Sequence, residues 1–257
     1  MDTGSKTIDI KLPTRWEDLT EKQLRYVFTL IALGYDIDEV KTFCFFCWSG
    51  IKILHRYGDD GYMCKRKKQS IVITAPQVTA FVAALDWLKS LPATPIRIER
   101  LGSHRAVAAD FQGVPFESFI ICDNLYQGYI STQNEKLLDE MAGHLYQRRS
   151  FAPFSLRLTP AERIGIFYWF ASLKTMFSRE FKNFLQPATS DNANLLDSDR
   201  SQYEILTAAV NAQIRALTKG DVTKEKEVLA LDTWRALTEL DALAKDYQEL
   251  NTKYPHK

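Results

Sequence analysis

The residues Thr159-Pro160-Ala161-Glu162 open the stretch that most constrains the fold, TPAERIGIFYWFASLKTMFSREFKNFLQP. A threonine, then a proline, then a glutamate three residues after the threonine is a helix start. The threonine accepts from orphan N–H groups, the proline presets φ, and the carboxylate reaches back to the cap. The helix so begun is apolar and aromatic through IGIFYWFASL (164 to 173), with Arg163 and Lys174 closing the run at both ends. That run is well short of the roughly 20 residues needed to span a bilayer. A helix this apolar has to be covered by other elements of the same protein.

Further helix signals supply those elements. KLPTRWEDLTEKQLRYVFTLIALG offers Thr14 with Glu17 as one capping box and Thr20 as a second start, followed by Leu24, Val27, Phe28 and Ile31 at helical spacing and Gly34 as the stop. Asp36 opens DIDEVKTFCFFCWSGIKILHRYG, read as one helix with Ile37, Val40, Phe43, Cys44, Cys47, Trp48 and Ile51 on a single stripe. The two form an αα-hairpin joined at GYD. Between 57 and 115 the pattern changes to a glycine- and charge-rich loop and a strand at Ile71–Thr74. A helix beginning near Pro76 follows, then a half-exposed strand around Ile96 and Ile98, and a hairpin turning at Gln112-Gly113. ESFIICDNLYQGYIST and NEKLLDEMAGHLYQ return to helix, the latter capped by Asn134. After the polar loop ATSDNANLLDSD, two last helices are expected at about 199 to 218 and 223 to 251. The expected fold is mainly α. Residues 1 to 150 make a multi-helix domain with a small antiparallel β insertion at about 57 to 115, and residues 151 to 257 make a long-helix subdomain.

Charge and cysteine content exclude several classes. Net charge is +1 in 257 residues, so no whole-chain field draws the protein to nucleic acid or anionic lipid. MDTGSKTIDIKLP lacks the apolar core of a secretory signal, and four cysteines at no framework spacing suit a reducing compartment, so the expected location is the cytoplasm, with no membrane partner. No G-x-S-x-G, Walker A or G-x-G-x-x-G motif is present, and the histidines at 55, 104, 144 and 256 stand without accompanying motifs. Neither an enzyme nor a cofactor is expected.

Four local features carry candidate chemistry. Cys44 and Cys47 form a C-x-x-C, and with His55 and Cys64 they compose a conceivable zinc set. Two phenylalanines between the thiols, in a helix-periodic apolar setting without a tight turn, instead suit cysteines packed as small hydrophobes. Lys65-Arg66-Lys67-Lys68 is the only dense basic run, read as a solvated loop and, in the alternative, as a phosphate contact beside Tyr57 and Tyr62; Asp59-Asp60 lies just upstream. His144, Arg148 and Arg149 make a weaker basic group at a helix end, where cations suit the macrodipole. The last helix carries an approximate 4-3 seam, Leu229, Thr233, Ala236, Leu240, Leu243, Tyr247 and Leu250, in which Leu240, Leu243 and Tyr247 are candidate partner-interface residues.

The opening KLPTRWEDLTEKQLRYVFTL resembles the start of phage and prophage tail-assembly and virion-morphogenesis proteins. The shared features are a short basic-apolar strand, a tryptophan, an acidic-Leu-Thr helix start and a Gln-Leu pair. The closing TKGDVTKEKEVLALDTWRALTELDA is similar to uncharacterised proteins of such gene clusters. The resemblance implies a non-enzymatic assembly chaperone or minor structural component that contacts virion or tail proteins, or itself, through helices. It transfers no catalytic residue. A nucleic-acid-associated accessory role using the basic run is the alternative.

Overall fold

The structure, a computed structural model, describes residues 10–58, 61–147, 157–185 and 202–253. It is mainly α with two small three-stranded antiparallel sheets. Packing divides the chain into two units, Met1–Pro92 with Thr159–Gly165, and Ala93–Leu158 with Ile166–Lys257. The polar loop at 188 to 199, Asp59-Asp60, and Arg148 and Arg149 lie outside the described residues.

In the first unit, Thr14 donates through its N–H and hydroxyl to Asp18 rather than pairing with Glu17, and a 3-10 turn occupies Trp16–Asp18. Thr20 and Gln23 then close the capping box of α1 (Glu21–Ala32), and Asp36 with Glu39 closes that of α2 (Ile37–Ser49). The stripe did not continue as helix past residue 49. Gly50 takes the left-handed conformation (φ 67°), which only glycine enters freely, and ends α2 there. Ile51–Tyr57, expected to be helical, is instead β1, and it runs antiparallel to β2 (Gly61–Arg66), which pairs with β3 (Gln69–Thr74). Beyond β3, α3 (Ala75–Ala83) gives way to a 3-10 turn at Asp86–Lys89, so the helix expected from Pro76 onward is split.

Trp16, Val27, Phe28, Val40, Cys44, Phe45 and Leu88 form this unit's core. The Trp16 indole N–H donates to Ser90 O at 2.8 Å, and its ring meets Trp87 edge-on. Lys41 is buried, with Asp38 and Asp86 each 2.6 Å away. Burial alone would depress its pKa, but the hydrogen bonds it donates to those carboxylates outweigh burial and raise it. Arg25 binds Glu162, which also completes the box predicted from Thr159: Thr159 donates to the Glu162 carboxylate and accepts from Glu162 N–H.

The second unit contains β4 (Arg100–Leu101) and β5 (His104–Ala106), joined at Gly102-Ser103, then α4 (Phe116–Thr132), α5 (Glu135–Leu145, capped by Asn134) and β6 (Tyr146–Gln147). It also contains most of α6 (Pro160–Glu180), together with α7 (Gln202–Thr218), α8 (Glu225–Leu229) and α9 (Thr233–Lys253). The hairpin expected at Gln112-Gly113 is not one; the hairpin lies at Gly102-Ser103, and Ile96 and Ile98 fall outside any strand. Gln112-Gly113 turns so that Gly113 N–H and Val114 O meet Asp232 and Thr233, at the N-terminus of α9. The Asp232 carboxylate also accepts from the N–H groups of Trp234 and Arg235, which breaks the helix expected over 223 to 251 into α8 and α9.

The core is aromatic: Phe111, Phe119, Trp169, Phe170, Phe177 and Trp234 contact one another mostly edge to face. Two of its indoles staple the preceding loop, Trp169 to Ala109 O and Trp234 to Asp110 O.

Candidate functional site

The register of the first sheet sorts its side chains onto two faces. Ile51, Arg66 and Gln69 lie in one row, Ile53, Cys64 and Ile71 in the next, and Arg56, Tyr62 and Ile73 in a third. Ile51, Cys64 and Ile73 are buried, so this is the inner face. A bulge at Leu54, marked by the register shift between Ile53 and His55, keeps the remaining residues on the other face. There Lys52 stands opposite Lys65 with Ser70 beyond, His55 opposite Met63 with Val72 beyond, and Tyr57 opposite Gly61 with Thr74 beyond. This outer face is open: Tyr57 is 54% and Val72 44% exposed.

The basic run is therefore only half loop. Lys65 and Arg66 end β2, and Lys67-Lys68 form the two-residue connection to β3, with Lys67 at φ 54°. Arg66 separates from its neighbours: it is on the inner face, where its Nε donates to Ser49 O at 3.0 Å, a cation at the C-terminus of α2. Lys65, Lys67 and Lys68 remain exposed, and Lys52, which no contiguous motif singles out, joins them. These four lysines form no ion pair among the described residues. The three strands hold four lysine and arginine side chains, the β2–β3 connection holds two more, and neither holds a carboxylate.

The zinc set does not assemble. Among the described residues no group of three or more histidines, cysteines or carboxylates is placed to hold a metal. The reason is visible in the register: His55 is on the outer face and Cys64 on the inner. Cys44 is buried, and burial, aided by Cys47, pushes its thiol up to about 12. Cys47, read as core, is exposed and lines a 410 Å³ recess with Lys22, Gln23, Tyr26 and Trp48. Burial, with the neighbouring Cys47 and Cys44, raises the Tyr26 phenol. A helical stripe does not say where the cover ends; here it ends between Cys44 and Cys47.

The seam on the last helix is covered over its first half only. Thr233, Ala236 and Leu240 are buried and Leu243 is half-buried, while Tyr247 and Leu250 are 66% and 58% exposed. Asp241 anchors the covered half. Burial alone would raise its carboxyl, but hydrogen bonds from the Asn183 side chain and the Phe184 and Asn183 N–H groups hold it below the usual carboxylate range.

A 260 Å³ recess in the second unit is lined by Phe119, Phe177, Asn124 and the paired Lys174 and Asp123. Its charges already satisfy each other. No helix among the described residues is long and apolar enough to cross a membrane. Comparison with protein-family models, curated proteins and solved structures returned no match.

Proposed function

We propose that the protein is a non-catalytic assembly component of the phage-morphogenesis type, a chaperone or minor structural protein that pairs the C-terminal half of α9 with a helix of another virion or tail protein. The supporting observation is that the seam continues where its own chain no longer covers it. Past Leu243, Tyr247 and Leu250 keep the spacing of Ala236 and Leu240 yet remain exposed. Exposed positions at the period of a packed stripe suit a helix-in-groove or helix-on-helix contact. Two helical turns bury far less than the roughly 1,000 Å² of a stable isolated interface. The contact is accordingly weak singly and strong only when repeated along an assembly.

The test is affinity co-purification from the native source, alongside light scattering at rising concentration. Wild-type protein retains a virion or tail component, and a Leu243→Ser/Tyr247→Ser/Leu250→Ser variant loses it while keeping its fold by circular dichroism. Recovery of the same partners by the triple variant sinks the proposal, as does recovery of no virion or tail component. Light scattering separates a second copy of the chain from a different protein as the seam's occupant.

A further inference from the structure

We propose that the outer face of the first sheet binds single-stranded nucleic acid, with Lys52, Lys65, Lys67 and Lys68 on the phosphates and Tyr57 and the Met63–Val72 row against the bases. This goes beyond the helix-mediated assembly reading and does not depend on it.

Two arrangements that work against the fold concentrate here. Lys52 and Lys65 are directly opposite in register on one face, where like charges repel. Lys67 occupies the left-handed region that glycine or asparagine enters more easily. No carboxylate of the described sheet offsets either. The common explanation for lysine on a sheet is protection of an edge strand from pairing with other chains. It suits Lys52 on β1. It does not suit Lys65, because β2 is the central strand. The second sheet also sets two cations opposite each other, Arg100 and Arg105, but there Glu99, which pairs with Arg97, lines the same 440 Å³ recess.

The chemistry favours nucleic acid over other polyanions. Beside the lysines stand exposed Val72 and Tyr57 with His55 and Met63, giving unpaired bases an apolar and aromatic surface next to the phosphate contacts. Tyr57 is four strand positions from the Lys65 level, about 13 Å along the sheet. An anionic membrane also attracts lysines. However, β1 and β3 are both edges whose outward N–H and C=O groups an apolar phase would leave unsatisfied, whereas phosphate oxygens accept from such N–H groups.

The test is fluorescence anisotropy of a labelled thymidine oligonucleotide titrated with the full chain at several salt concentrations. Wild-type affinity should fall between about 50 and 200 mM salt with a log–log slope near −3, as expected for about four phosphate contacts on a single strand. Lys52→Gln/Lys65→Gln/Lys67→Gln/Lys68→Gln should abolish most of that slope. Tyr57→Ala should weaken binding about fivefold or more with the slope unchanged, because stacking carries no counterion release. Lys65→Glu should weaken binding while the melting temperature stays level or rises, which separates lost binding from lost fold. A slope that survives the quadruple variant overturns the proposal, as does wild-type protein that ignores salt. Equal affinity for a duplex, or binding to phosphatidylserine vesicles without binding to the oligonucleotide, overturns it as well. None of these readouts involves α9, so this test and the assembly test fail separately.

Discussion

The two sheets share one topology, three antiparallel strands in sequential order, and are held by different forces. In the first, β2 is paired along its whole length on both sides, yet few side chains are buried. In the second, each ladder joins two residue pairs, but Leu101, His104, Ala106 and Tyr146 are all buried. The Tyr146 ring meets Trp169 edge-on, and its hydroxyl donates to Ile98 O at 2.9 Å. Ladder hydrogen bonds replace bonds to water and contribute modestly each, whereas burial scales with area. A short sheet can thus be a firm part of a core, and a long one can stand open. The open one is free to carry a surface whose charges do not favour the fold.

The largest effect should come from the second sheet. Leu101→Ala there should cost about 3 kcal/mol by chemical denaturation, through lost transfer free energy and an unfilled cavity. Val72→Ala in the first sheet should stay within about 0.5 kcal/mol. Equal losses would break the contrast. Next, Tyr146→Phe should cost about 1 kcal/mol, since it leaves a buried carbonyl without its donor.

Thiol labelling of the native protein sharpens the division of the first sheet into faces. At mildly alkaline pH Cys47 should react quickly. Cys44 and Cys122, each pushed up to about 12 chiefly by burial, and Cys64, raised by burial on the inner face, should react only on unfolding. Fast labelling of Cys64 would mean that the inner face is as open as the outer. The smallest effects are gains: Lys67→Gly should stabilise by about 0.5 kcal/mol by relieving a strained φ. Lys65→Glu should add about 0.5 kcal/mol by turning a repulsive cross-strand pair into an attractive one. A loss of stability in either would mean that the open sheet's lysines serve the fold after all.

Much of the helical framework could be read from the chain. The caps at Thr20, Asp36, Asn134 and Thr159 all close as helix starts, because each involves residues no more than three positions apart. Ile51–Tyr57 reads as helix from the sequence because Ile51 extends the stripe of the preceding helix, although Gly50 marks the break. Part of the cationic face was legible as the run at Lys65–Lys68. Lys52 was not, since it joins the others only through a partner strand thirteen positions away. The departure of Arg66 follows from period-two alternation, but only once β2 is known to be a strand.

The sequence by itself determined a mainly α protein, the start of its principal helices and the presence of a β element in the first half. Those properties follow from side chains acting on backbone within a turn, and from the need to cover helices such as 160 to 180. Only the tertiary structure decided which cysteine is covered, where the last seam loses its cover, and that Lys52 stands beside Lys65 on one open face. Each of these depends on register and burial between segments distant in the chain, and neither a cap nor a periodicity holds that information.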